Sequence, residues 1–215
     1  VHELGVTRSH DSVRKTNERG QARSSASGEA MVKFGIHSLL WAERFDTHAD
    51  SVINKAKKLG FDAVEIYVSP PQLETFDKTR VKKALESADM KCIGSTALTL
   101  DTDFTSSDEA TRKRGINHLK NAAKLFSELG ADLVAGVVYT AWGKIVGRGR
   151  TEEEWKHSAE SLKETCRLIS DYNVTLGLEP VNRFETYFIN TAADAVKMAK
   201  EVGEPNIGVH LDTFH

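Results

Sequence analysis

The chain has 215 residues, 40% of them hydrophobic and 28% charged, with a formal net charge of −2. That length suits one large domain or two small ones and can bury a real core. The balance of 29 basic against 31 acidic residues argues against a nucleic-acid binder that works by net charge, and no apolar run of about 18 residues is present to cross a membrane.

Residues 1–30 hold only four large apolar side chains, Val1, Leu4, Val6 and Val13. So few cannot offset the entropy of ordering the segment. The apolar core of a secretory signal is missing, and Glu3, Asp11, Glu18 and Glu29 count against a transit sequence. The expectation is a disordered tail, or upstream sequence translated ahead of a start at Met31, with the folded part over 31–215.

From Met31 onward short apolar runs alternate with amphipathic stretches. Strands are predicted at 32–38, 61–68, 91–97, 131–139, 174–179 and 207–212, with five helices between them. The first helix follows Thr47, carries Val52, Ile53, Ala56 and Leu59 on one stripe, and closes at Gly60. A second runs from about Asp77 with Val81, Ala84, Leu85 and Ala88 inward. Ser106 and Glu109 form a capping box for the third, whose face is Ile116, Leu119, Ala123 and Phe126 and whose end is Gly130. Thr151 and Glu154 cap the fourth, and Thr191 with Asp194 opens the fifth before Gly203. The stretch Leu59-Gly60-Phe61-Asp62-Ala63-Val64 is echoed by Leu129-Gly130-Ala131-Asp132-Leu133-Val134. Strict alternation means parallel βαβ units. Without a Gly-x-Gly-x-x-Gly turn or a phosphate-loop lysine, the α/β architecture that remains is the (β/α)8 barrel, here with about six strands. Cys92 and Cys166 read as buried thiols of a reducing compartment, consistent with a cytoplasmic protein, and not as a disulfide framework.

In such a barrel, chemistry sits at the carboxyl ends of the strands. Those ends are polar here. Glu65 lies in the second strand; Gly94, Ser95 and Thr96 end the third; Tyr139, Thr140 and Trp142 follow the fourth. Glu179, Asn182, Arg183 and Glu185 follow the fifth, and Asp212 and His215 the sixth. Strand alternation puts Leu176 and Leu178 on one face and Gly177 and Glu179 on the other. It likewise separates Val209 and Leu211 from His210 and Asp212. If the leucines pack on helices, Glu179 and Asp212 point into the barrel mouth. Two neighbouring carboxylates repel, and a divalent cation with oxygen ligands, Mg²⁺, Mn²⁺ or Co²⁺, relieves that. On spacing alone, an acidic rim neutralised by Arg183 remains the alternative.

The segments Leu178-Glu179-Pro180-Val181-Asn182-Arg183-Phe184-Glu185 and Leu211-Asp212-Thr213-Phe214-His215, with Ala141-Trp142-Gly143 and Asp103-Phe104, resemble the ketose 3-epimerases. These are the D-tagatose and D-psicose (D-allulose) 3-epimerase group of the xylose-isomerase-like barrels, and the resemblance covers about 31–215. It implies that Glu179 is a metal ligand and one catalytic acid/base, and that Asp212 is a second ligand. It implies that Glu185 and His215 hydrogen-bond the sugar, and that Trp142 walls its distal part. The implied cofactor is Mn²⁺ or Co²⁺, with Mg²⁺ an alternative. The implied partner is a small ketose, with neither nucleic acid nor membrane, in a family that often forms homo-oligomers. The implied reaction removes the carbon-3 proton and returns one from the other face. A proton beside a ketone becomes removable when a cation stabilises the developing enediolate, and a tuned glutamate is a usable base.

Four other polar residues are read from position. Arg183 holds rim carboxylates in place, and His210 is a satisfied histidine of the barrel core. His37 either lines the pocket or packs, and Glu65 stays unassigned as a support residue. The family's last two strands carry a metal-binding histidine, a substrate-binding arginine and the second catalytic glutamate, which have no counterpart here. The chain therefore reads as an incomplete copy that binds metal poorly and turns over little. The alternatives are another sugar isomerase of the same barrels, of hydroxypyruvate isomerase or inosose-processing type, or an inactive partial barrel that acts as a binding partner.

Overall fold

The computed structural model describes residues 32–215. The expected tail at 1–30 lies outside the described residues. The strands are β1 (Gly35–His37), β2 (Ala63–Tyr67), β3 (Lys91–Ser95), β4 (Leu133–Gly136), β5 (Thr175–Leu178) and β6 (Ile207–Val209). All pair in parallel, in the order β1-β2-β3-β4-β5-β6. The helices are α1 (Ala49–Lys58), α2 (Pro70–Leu73), α3 (Lys78–Ala88), α4 (Glu109–Glu128), α5 (Glu152–Leu168) and α6 (Ala192–Val202). Among the described residues, β1 and β6 each pair on one side only.

Strand alternation sorts the side chains. Val64 and Ile66 of β2, Val134 of β4, and Leu176 and Leu178 of β5 are buried in one apolar cluster with the helix faces. That cluster includes Ile116, Leu119, Ala123 and Phe126 of α4 and Trp155, Leu162 and Cys166 of α5. Each fully buried Leu or Phe among them stabilises the fold by about 1.5–3 kcal/mol. The opposite residues face the barrel interior: a side chain at Gly177 would meet the Cβ atoms of Ala135 and His210 at 3.1 Å. Cys92 and Cys166 are buried free thiols, pushed up to about 12 by desolvation.

The local signals hold at most ends. Gly60 and Gly130 sit at φ +88 and +81, where a left-handed residue ends a helix without steric penalty. In both copies of the echoed segment the chain then enters a strand. The Thr151 box is present with both of its hydrogen bonds, and the Thr191 hydroxyl caps α6. Three expectations are corrected, and the first helix starts where the sequence places it. The cap of α4 is Asp108, whose carboxylate accepts from the Ala110 and Thr111 amides, while Ser106 instead accepts from the Asp108 amide. The first helix starts at Ala49 after a 3-10 turn over Asp46–His48, with no side-chain cap. A sixth helix, α2, opens on a Ser69–Gln72 capping box with proline in its first turn. The strands are also shorter than predicted: β4 stops at Gly136 and β6 at Val209, because the chain leaves the ladder as it rises over the rim.

His118 of α4 is 7% exposed, and its Nε2 lies 3.0 Å from Thr96 Oγ1. That hydroxyl already donates to the Val68 carbonyl, so the imidazole donates to it. Desolvation pushes the His118 pKa down to about 4. The unfolded chain therefore binds this proton first as pH falls, and stability present above about pH 6.5 is lost progressively toward pH 4. The contribution is on the order of 3 kcal/mol. The stability difference between pH 7 and pH 4.5, measured by urea unfolding, should shrink in His118→Gln. An unchanged difference would show that His118 does not carry it.

Candidate active site

The interior-facing strand ends converge on one cleft. It has a volume of about 140 Å³ and is lined by His37, Tyr67, Ser95, Trp142, Glu179, Glu185 and His215, among others. A larger groove of about 590 Å³ lies on the outer helical face between Pro70, Phe76, Arg114 and His118 and contains none of the strand-end carboxylates.

Glu179 stands one residue past β5. Its amide donates to the Gly136 carbonyl at 3.2 Å, and its own carbonyl accepts from the buried Tyr139 hydroxyl at 2.7 Å. Its backbone is thus held from both sides while the side chain, 15% exposed, enters the cleft. Burial pushes its carboxyl above the usual carboxylate range. The nearby charges of Glu65 and Asp212 act in the same direction, and His210 and His215 act against it. Asp212 accepts from the Phe214 amide at 2.8 Å, and the His215 amide donates to the Asp212 carbonyl at 3.2 Å. This turn brings the imidazole back to Glu179, with Nε2 3.7 Å from Oε1. Glu179, Asp212 and His215 each offer one ligand atom, all within 4.8 Å of one another. Two carboxylates converging at that range, one of them desolvated, suit a hard divalent cation.

Glu185 lies beside this cluster. Its Oε2 accepts from the Trp142 indole at 2.9 Å and its Oε1 from the Asn182 amide at 2.7 Å. Trp142, half exposed, stands over the cleft, and the Gly143 amide donates to the Glu185 carbonyl at 2.8 Å. All five residues singled out in the sequence, Glu179, Asp212, Glu185, His215 and Trp142, therefore meet at one strand-end cluster.

Three other readings are corrected. Arg183 is exposed, lies over the Phe184 ring at 5.1 Å and forms no ion pair with the rim carboxylates. Nothing in the turn directs it inward. His210 faces the interior as expected but is not satisfied: its buried Nδ1 has no hydrogen-bond partner. Leu211 is 62% exposed, because the strand has already ended. His37 lines the cleft, accepting from the Leu39 amide at Nδ1, with Nε2 3.8 Å from Glu65.

The sequence did not reveal the support beneath the rim. Asp103, 3% exposed, accepts from the Thr105 amide at 2.9 Å, the Ala141 amide at 3.1 Å and Lys144 Nζ at 2.7 Å. It ties the loop after β3 to the Trp142 loop. The Asp-x-Thr spacing of Asp103 and Thr105 marks a local turn, but its partners are far along the chain. Asn182, between Glu185 and His215, is a second such support.

The sequence model of the xylose isomerase-like TIM barrel family matches residues 53–215, and the chain belongs to that family. It is 34% identical over 185 residues to a ketose 3-epimerase from Arthrobacter globiformis, covering 86% of this chain and 63% of that protein. It is 32% identical to an L-ribulose 3-epimerase from Mesorhizobium japonicum, covering 86% and 62%. The crystal structure of a D-allulose 3-epimerase from Methylomonas sp. in complex with D-allulose superimposes with a TM-score of 0.80 at 29% identity, covering 86% and 63%. The chain thus spans just under two thirds of the length of these relatives.

Replacing Asp103 by Asn should leave Lys144 without its counter-charge inside the rim. Breaking a buried pair in this way costs about 3 kcal/mol. Urea unfolding should show that loss, with part of it recovered in Asp103→Asn/Lys144→Met. A loss under about 1 kcal/mol would mean the pair is a solvated surface contact.

Proposed function

We propose that the chain carries part of a ketose 3-epimerase site, of the kind that inverts carbon 3 of a free keto-sugar, including two of its metal ligands. The observation that carries this reading is the convergence of Glu179, Asp212 and His215 at the strand ends of a barrel whose similar proteins are sugar epimerases.

Glu179 and Asp212 would hold the cation, Mn²⁺ or Co²⁺, in a cytoplasmic enzyme. When bound, such an ion supplies Lewis-acid stabilisation of negative charge that develops beside the sugar carbonyl. The chain's residues do the rest. A Glu179 carboxylate oxygen takes the carbon-3 proton, and its desolvated position raises its affinity for that proton above that of a solvated carboxylate. Glu185, fixed by Trp142 and Asn182, accepts from a terminal sugar hydroxyl. His215 donates to the carbonyl region, and Trp142 shields the distal carbons from water. Inversion needs a proton returned from the opposite face, the role of the second catalytic glutamate that the family resemblance implies.

The test uses a version extended with the C-terminal third of a ketose 3-epimerase relative, assayed for epimerisation and bound Mn²⁺ in parallel. Glu179→Gln should lower kcat by roughly a hundred- to ten-thousand-fold. Asp212→Asn should lose the metal. Glu185→Gln and His215→Ala remove contacts to charged or oriented groups worth about 1.5–3 kcal/mol. Each should cost about ten- to a hundred-fold in kcat/KM with metal retained. Near-normal turnover in Glu179→Gln would reduce that carboxylate to a rim residue. Metal loss in His215→Ala would make the imidazole a ligand.

A further inference from the structure

Glu185 and His215 are joined through one side chain, Asn182. Its amide is fully used. Oδ1 accepts from the Phe184 amide at 3.0 Å, which fixes which end of the group is nitrogen. Nδ2 donates to Glu185 Oε1 at 2.7 Å and lies 3.0 Å from His215 Nδ1. The Asn182 main-chain N–H also points at His215 Nδ1, at 3.2 Å. The turn that begins at Asn182, with the Glu185 and Thr186 amides donating to its carbonyl, holds this arrangement in place.

Two donors converge on one ring nitrogen. Nδ1 must then present its lone pair, and in a neutral imidazole the proton resides on Nε2. That nitrogen faces Glu179 Oε1 across 3.7 Å, beyond hydrogen-bond range and open to a hydroxyl entering between them. On the other side, Nδ1 lies 3.6 Å from Glu185 Oε1. These are two acceptors, kept compatible by the Asn182 amide protons that serve both. A nitrogen that carries a proton cannot coordinate a cation. The three-residue cluster therefore divides into two oxygen ligands, Glu179 and Asp212, and one hydrogen-bond donor, His215.

We propose that Asn182 is a positioning residue that sets the tautomer of His215, making it an Nε2–H donor toward the space in front of Glu179, and that holds Glu185 as an acceptor. The proposal rests on the reading of His215 and Glu185 as sugar contacts, but it concerns the protein without sugar or metal and can be tested there.

The experiment is long-range ¹H–¹⁵N NMR of the 215-residue chain labelled at its histidine nitrogens, with the His215 signals assigned by their loss in His215→Gln. The parent chain should show His215 Nδ1 unprotonated and Nε2 protonated. Asn182→Asp replaces the Nδ2 donor beside Nδ1 with a carboxylate lone pair and leaves only the main-chain N–H there, so the fraction of His215 protonated on Nδ1 should rise. A proton on Nδ1 in the parent chain, or an unchanged pattern in Asn182→Asp, would overturn the proposal. If Asn182→Asp does not fold, Asn182→Ala, which removes the side-chain donor and keeps the main-chain one, takes its place in the same measurement, and an unchanged pattern there would equally overturn the proposal. The expected tautomer without epimerisation in the extended protein would count against the epimerase reading and leave this assignment standing.

Discussion

The two-residue period of a parallel strand decides which side chains reach the barrel interior, and in β5 it has a sharp consequence. Leu176 and Leu178 are fully buried against the helices, so the next residue, Glu179, must turn inward. A one-residue slip would place the leucines in the cleft and the carboxylate against apolar helix faces, where a charge is very costly to desolvate. The apolar core therefore fixes the position of the chemistry. The same alternation turns Glu65 and Tyr67 of β2 and Ser95 of β3 toward the same space.

Alternation aims a side chain but does not hold it still. That stiffness comes from polar contacts between loops that are distant in sequence. The Tyr139 hydroxyl clamps the Glu179 carbonyl, and its ring stacks on Phe188. Asp103 and Lys144 bind the loops after β3 and β4 together. Arg150 donates to the Phe188 carbonyl and to Asp194, which joins the start of α5 to the start of α6. Each of these partners is buried or half-buried, so the bonds are weakly screened and their loss leaves a polar group without a partner. The rim is a network of such ties, and catalytic precision in a barrel depends on them because its working residues sit on loops.

Much of this was legible in the residues. The alternating elements, the glycine-closed helices, the Thr151 box and the parity of β5 are local signals, and local signals survive folding. The same is true of Glu179, the first residue past β5, whereas Asp212 lies three residues past the end of β6 and is placed by its turn with Phe214 and His215 and not by strand parity. What failed depended on more than spacing. Ser106 and Asp108 both offer a cap, and only the backbone path chooses Asp108. The Ser69-Pro70-Pro71-Gln72 start of α2 was readable, but its helix is one turn long and lacks an apolar stripe. Arg183 was expected to neutralise carboxylates from charge alone, whereas its turn leaves it exposed on Phe184. Asn182 and Asp103 also have local partners, but Asn182 reaches His215 33 residues away and Asp103 reaches Lys144 41 residues away, which no local pattern announces.

The central claim is that the Glu179 cleft removes a proton from carbon 3 of a ketose. The most direct measurement incubates D-fructose with the extended protein and Mn²⁺ in deuterated water and locates the incorporated deuterium by NMR. The account predicts deuterium at carbon 3, appearing together with the carbon-3 epimer and absent in Glu179→Gln. Deuterium at carbon 1, the signature of aldose–ketose isomerisation, or exchange undiminished in Glu179→Gln, would contradict it.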